Sequence, residues 1–196
     1  MTHASVTRNR MARGQTLAEL GILLSFLLVL GVGLIEFGFV LYQGHVVVKV
    51  AREGANLISR RVSLADVEAA IRTSRPTVGA FDANTRVILS VVKVGAGGAN
   101  LDAPIITQRH VVGSVSGASA VGDPPASSYS GGPDYVARDP DNDPSIRARS
   151  PLPNGLRLTE GQSVYMAEVY IRRQGIVSLS SFGITLPTTL YSVAFF

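Results

Sequence analysis

The 196-residue chain contains no cysteine. Disulfide staples and thiolate metal sites are therefore excluded, although many exported proteins also lack cysteine, so the absence assigns no compartment. Charge is sparse as well: 16% of residues are Asp, Glu, Lys or Arg, and mean hydropathy is +0.27. Acidic residues are missing altogether from the first fourteen positions, which carry Arg8, Arg10 and Arg13. Removing those three from the 18 basic residues leaves 15 against 14 acidic ones, so the formal charge of +4 belongs mainly to the N-terminal segment. No basic footprint remains elsewhere, and no nucleic-acid partner is expected.

Catalytic signatures are also lacking. The three histidines, His3, His45 and His110, have no local spacing that would let two share a metal, and no Ser/His/Asp arrangement can be argued. "GSVSG" (Gly113 to Gly117) places valine where a nucleophile-elbow serine would stand. "GAGG" lacks the later glycine and following helix of a dinucleotide fingerprint. Asp139, Asp141 and Asp143 have the i, i+2, i+4 spacing that opens an EF-hand loop, but Pro144 and Ser150 occupy its glycine and glutamate positions. A solvated acidic turn is the expectation there, with a weak calcium site as the alternative. No enzyme activity and no cofactor are expected.

What the chain has is one long apolar run. From Leu20 to Val40 only Glu36 is charged, and Ser25 is the other clearly polar side chain. About 20 apolar residues cross roughly 30 Å of hydrocarbon, so residues 15–43 read as a transmembrane helix. The basic, acid-free start predicts a cytoplasmic N-terminus and an exported C-terminal bulk. Lys49, Arg52, Arg60 and Arg61 just beyond the span weigh against that orientation. The run is too long for a cleaved secretory signal, and no small-residue cleavage site follows it promptly.

Helical periodicity continues beyond the span through residues 44–61. Val47, Val50, Ala51, Gly54, Leu57 and Ile58 fall near one face, and Lys49, Arg52, Glu53, Asn56 and Arg60 fall on the other. A helix from Gln15 to Ile58 would be about 65 Å long.

"GQTLAE" (Gly14 to Glu19) resembles the processing site of type IV prepilins, and "VAREGANLISR" (Val50 to Arg60) is similar to TadE-like minor pilins of tight-adherence (Flp) pili. "GQSVYMAEVYIRR" (Gly161 to Arg173) resembles a late strand of that family. The resemblance covers Arg13–Arg61 and Gly161–Phe196, and not the middle. It implies a leader at 1–14, cut by a prepilin peptidase between Gly14 and Gln15 on the cytoplasmic side. It also implies a subunit delivered to other pilins and a pilus assembly platform at the bacterial inner membrane, for adhesion or secretion. In that picture Glu19 meets the new N-terminus of a neighbouring subunit and sets register during assembly. The physics agrees: a carboxylate in the bilayer costs about 2.5–3.5 kcal/mol at the centre and less toward the interface, and an α-amine with pKa near 8 would be a positive partner. Two readings of Glu36 stay open, an interfacial carboxylate beside Tyr42 and Gln43 or an inter-subunit pair with Lys49 or Arg52. Gly31, Gly33 and Gly38 read as close-packing or flexing positions, since they lack GxxxG spacing. The alternative to a pilin is an uncleaved bitopic protein whose exported domain binds an envelope or extracellular partner.

Residues 62–196 read as an exported α+β domain. "SLAD" (Ser63 to Asp66) predicts a capped short helix that stops at Arg75 before Pro76. Strands are predicted at Thr85–Val94, Pro104–Val112, Ser163–Ile171 and Thr188–Phe196. Apolar residues on both strand faces predict a small antiparallel sheet covered by a helix on one side and partly packed on the other. Seven of the ten prolines lie between Gly113 and Gly155, which predicts a long surface loop. The expected plan is pilin-like: a long N-terminal helix, transmembrane then amphipathic, followed by the sheet.

Overall fold

The computed structural model describes residues 4–73, 81–173, 175 and 186–196. The chain has an α+β fold in which one long helix precedes a four-stranded antiparallel sheet. Helix α1 runs Ala4–Ser59, α2 Leu64–Thr73, and a single turn α3 Phe81–Asn84 leads into β1. The strands are β1 Thr85–Val94, β2 Pro104–Gly113, β3 Ser163–Arg172 and β4 Thr189–Phe195, in spatial order β2-β1-β3-β4. All four predicted strands are present within a residue at each end. The chain forms two compact units: α1 through Tyr42 belongs to the first, and residues 43–174 with 187–196 form the second.

The second unit begins on the last turns of α1. That helix ends without glycine: Arg61 takes the left-handed conformation at φ 64°, Arg61 N–H donates to the Ile58 carbonyl, and Val62 N–H donates to the Leu57 carbonyl. These are the two bonds of a Schellman cap, and Leu57 and Val62, the positions at which such caps place an apolar pair, are both half-buried against the core. Ser63 then caps α2 as predicted, its Oγ accepting from Asp66 N–H and donating to the Asp66 carboxylate at 2.6 Å. The predicted stop at Arg75–Pro76 lies outside the described residues.

Alternation along the strands builds two cores. On one face Val87, Leu89, Val91, Ala167, Val169, Ile171 and Ala194 pack with Val47, Val50, Ala51, Ala55 and Ile58 of α1 and Leu64, Val67 and Ile71 of α2. On the other, Val92, Ile105, Ile106 and Met166 pack under residues from the long connection between β2 and β3.

That connection differs from the expected surface loop. It contains only isolated 3₁₀ turns and bridges, yet Val121, Tyr129, Ala137, Ile146, Ala148 and Leu152 are buried in the second core. Tyr129 donates its hydroxyl to the Ile106 carbonyl at 3.1 Å. A Pro- and Gly-rich composition bars long helices and strands, but single apolar residues spaced along it still bury side chains once a sheet face is available. Gly113 closes β2 where no other residue fits, with φ at +89° and a hypothetical Cβ only 1.9 Å from the Thr85 carbonyl oxygen.

Candidate assembly face on the N-terminal helix

Gly14 and Gln15 lie within α1, so the peptide bond between them is helical. One turn on, Gln15 Nε2 donates to Glu19 Oε1 at 3.0 Å, an i,i+4 pair on an exposed surface. Beyond it Leu17, Leu20, Ile22, Leu23, Leu24, Phe26, Leu27 and Leu28 are all exposed, as are Leu34, Ile35 and Phe37. Gln15–Ser59 has a mean hydropathy of 2.5 in its most apolar window and is long and apolar enough to cross a membrane. Among the described residues, a Cβ added at Gly21, Gly31, Gly33, Gly38 or Gly44 would meet nothing within 4 Å. Nothing described within the chain uses the space these glycines leave.

Glu36 departs from this pattern. It is 1% exposed, whereas Ile35 and Phe37 beside it are 63% and 55% exposed. Lys49 and Arg52 are exposed on the polar face of α1.

The "AREGA" segment has a packing role. Ala51, Gly54 and Ala55 are buried, and Arg52 and Glu53 between them point to solvent. A Cβ on Gly54 would lie 3.1 Å from Ala167 Cβ and 3.2 Å from Ile71 Cδ1. The small residues therefore let α1 lie close against β3 and α2, with the flanking charges on the opposite face. Residues 14–56 match the family model of TadE-like proteins. No curated protein and no solved structure matches the chain. TadE-like proteins are associated with tight-adherence pilus assembly, and that family is structural rather than catalytic. The matched residues run from Gly14 to Asn56, from the start of the apolar helix to its contact with the sheet, and the sheet itself lies beyond them.

The other predicted candidates fall elsewhere. Asp139 Oδ1 accepts from Asn142 N–H and Asp143 Oδ1 from Ser145 N–H, so both carboxylates cap local turns. Buried Asn100 clasps the same turn, donating to the Pro140 and Asp143 carbonyls at 2.9 Å and accepting from Arg147 Nε. His45 is exposed on α1. His110 Nε2 lies 2.5 Å from Glu68 Oε2, with its ring stacked on Tyr135, and so ties β2 to α2. Burial alone would raise the Glu68 pKa, but the bonds to His110 and Arg72 outweigh it and hold it below its usual value.

A buried ionic cluster was not foreseen. Arg109 on β2 donates to Ser90 Oγ at 3.0 Å, Ser119 Oγ at 3.1 Å and Asp123 Oδ1 at 3.2 Å. Glu168 on β3, fully buried, accepts from Ala120 N–H at 2.7 Å. These bonds pin residues 119–123 onto the sheet. The sequence holds a signal for one of the two strand residues: Glu168 is a charged residue inside the otherwise apolar run Tyr165–Ile171, whereas Arg109 sits among Thr107, Gln108 and His110. Burial raises the Glu168 pKa, despite the opposing pull of the Ala120 N–H, Ser119, Arg109 and Tyr191. A carboxyl whose folded pKa exceeds its unfolded value contributes stability that is complete below the unfolded pKa and lost as pH rises through the folded one. The contribution of Glu168 to thermal stability is therefore expected to fall as pH rises from its ordinary value of 4.5, and Glu168→Gln should remove that part of the pH dependence. Tm measured against pH for both proteins checks this, and parallel curves would refute it.

Proposed function

We propose that this chain is a minor, pseudopilin-like subunit of a tight-adherence pilus or a related secretion filament. It would sit in the bacterial inner membrane with its N-terminus in the cytoplasm and its α+β domain exported. A prepilin peptidase would cut between Gly14 and Gln15 and deliver the subunit to other pilins and the assembly platform. The observation that carries this reading is the TadE-like match over residues 14–56, which begins at the glycine of the proposed cut. The apolar, glycine-interrupted surface of α1 supports it, because such a surface suits both lipid and a neighbouring helix.

Intact mass of the membrane-extracted protein, from cells with active prepilin peptidase, tests the reading. A mature chain beginning at Gln15 is the expected result. A chain beginning at Met1 would overturn it in favour of an uncleaved bitopic protein.

After cleavage Glu19 would meet the new positive α-amine of Gln15 on a neighbouring subunit. A charge pair at about 4 Å is worth roughly 1–4 kcal/mol between water and the partly desolvated protein surface. Glu19→Ala is therefore expected to leave export and processing intact and to lower surface filaments by about tenfold or more. Filament counts by electron microscopy check this, and wild-type counts would remove the role.

A further inference from the structure

The sheet treats its two edges differently. The outer side of β2 is occupied by the β2–β3 connection: Ala137 N–H donates to the Thr107 carbonyl, Arg109 N–H to the Tyr135 carbonyl and Ala148 N–H to the Pro104 carbonyl. The outer side of β4 has no such cover among the described residues. Its register shows which groups are open. Tyr165 and Phe196 exchange both backbone bonds, and Arg173 N–H donates to the Thr188 carbonyl. Alternation then aims the backbone groups of Leu190, Ser192 and Ala194 at β3, and those of Thr189, Tyr191, Val193 and Phe195 away from it. Natural edge strands are usually blunted by charge, proline or a bulge. "TLYSVAF" has no charge and no proline, and pairs with β3 without a register shift.

We propose that the β4 edge docks the β4 strand of a second copy of this chain, antiparallel, with Ser192 on the two-fold axis. The strand is complementary to itself about this residue, its midpoint. In that register Thr189 opposes Phe195 and Tyr191 opposes Val193 of the other copy, and each such pair exchanges both backbone bonds. All four outward-facing residues are then satisfied. On one face aromatic rings meet Thr and β-branched Val, and on the other Leu190 meets Ala194, large against small. No like charges oppose each other, because the strand carries none. The two sheets would continue as one across the contact. This inference is independent of the proposed cleavage, since β4 lies far along the chain from Gly14.

The absence of cysteine makes the register directly testable in the full-length protein extracted in detergent. Ser192 would face its own counterpart as a non-hydrogen-bonded pair, with Cα atoms about 4.5 Å apart, within the range a disulfide spans. Ser192→Cys is expected to give a disulfide-linked homodimer under mild oxidation, read on a non-reducing gel. Leu190→Cys alone should give none, because the two positions would lie about 13 Å apart along the strands. Leu190→Cys mixed with Ala194→Cys should restore the link as a heterodimer. A Ser192→Cys protein that stays monomeric would overturn the proposal, as would Leu190→Cys cross-linking to itself equally well. Cross-linking of Ser192→Cys in membranes to a different protein, without a homodimer, would overturn the second copy as occupant. Processing at Gln15 is read separately by mass, so the failure of either idea leaves the other standing.

Discussion

Gly14→Ala is expected to leave the chain almost wholly unprocessed in cells that carry an active prepilin peptidase. The bond proposed for cleavage lies inside α1, and a protease active site takes its substrate in an extended form, so the helix would have to open locally first. Glycine in a helix interior is about 0.8–1.0 kcal/mol worse than alanine, which makes Gly14 a weak point at that bond. Alanine removes the weak point and adds a methyl group beside the scissile carbonyl. Intact mass of the extracted protein would then show residues 1–14 still attached, with the chain still in the membrane because residues 15–43 are unchanged. Normal maturation of the variant would refute the assigned site.

Gly54→Leu is expected to destabilise the sheet-bearing unit by about 1–3 kcal/mol, the usual cost of forcing extra carbons into a packed contact. A Cβ at this position already sits 3.1 Å from Ala167 Cβ and 3.2 Å from Ile71 Cδ1, so a longer side chain has to push α1 off the sheet or displace α2. At roughly 2–4 °C per kcal/mol for a domain of this size, Tm should drop by roughly 2–12 °C. Gly54→Ala separates the steric effect from a general effect of losing glycine. Alanine gains helix propensity of about 0.8–1.0 kcal/mol against a small local adjustment, so its Tm should stay within a few degrees of the parent. Thermal melts of the two variants side by side check this. Equal losses would show that backbone freedom at Gly54, rather than close approach to Ala167, is what matters.

The two substitutions probe opposite ends of the segment that matches TadE-like proteins. Gly14 is assigned from the resemblance, and its meaning is chemical. Gly54 belongs to the same similarity, and the structure gives it a mechanical meaning: the small residues of "AREGA" set how closely the helix meets the sheet. The polar and apolar faces predicted for residues 44–61 match the observed burial, because a 3.6-residue period is a local property. The strands were legible for the same reason, since β-branched runs bounded by Gly and Pro carry their own signal.

The residues between Gly113 and Gly155 show where local reading stops. Their composition excludes long elements, and none formed. Nothing local reveals that Tyr129, Ile146 and Leu152 fill a core, because their partners Ile106, Val92 and Met166 lie on strands distant in sequence. The Arg109–Asp123 bond and the seat of Glu168 under Ala120 are hidden in the same way.

The sequence by itself determined the apolar helix, its amphipathic continuation, the four strands and the glycine before "QTLAE", because each is written in contiguous residues as a period, a run or a cap. Only the tertiary structure decided that the proline-rich connection roofs one face of the sheet and that, among the described residues, nothing pairs with the outer side of β4. Those outcomes depend on which distant segments meet, and strand order and burial are settled when water is excluded from both sheet faces at once.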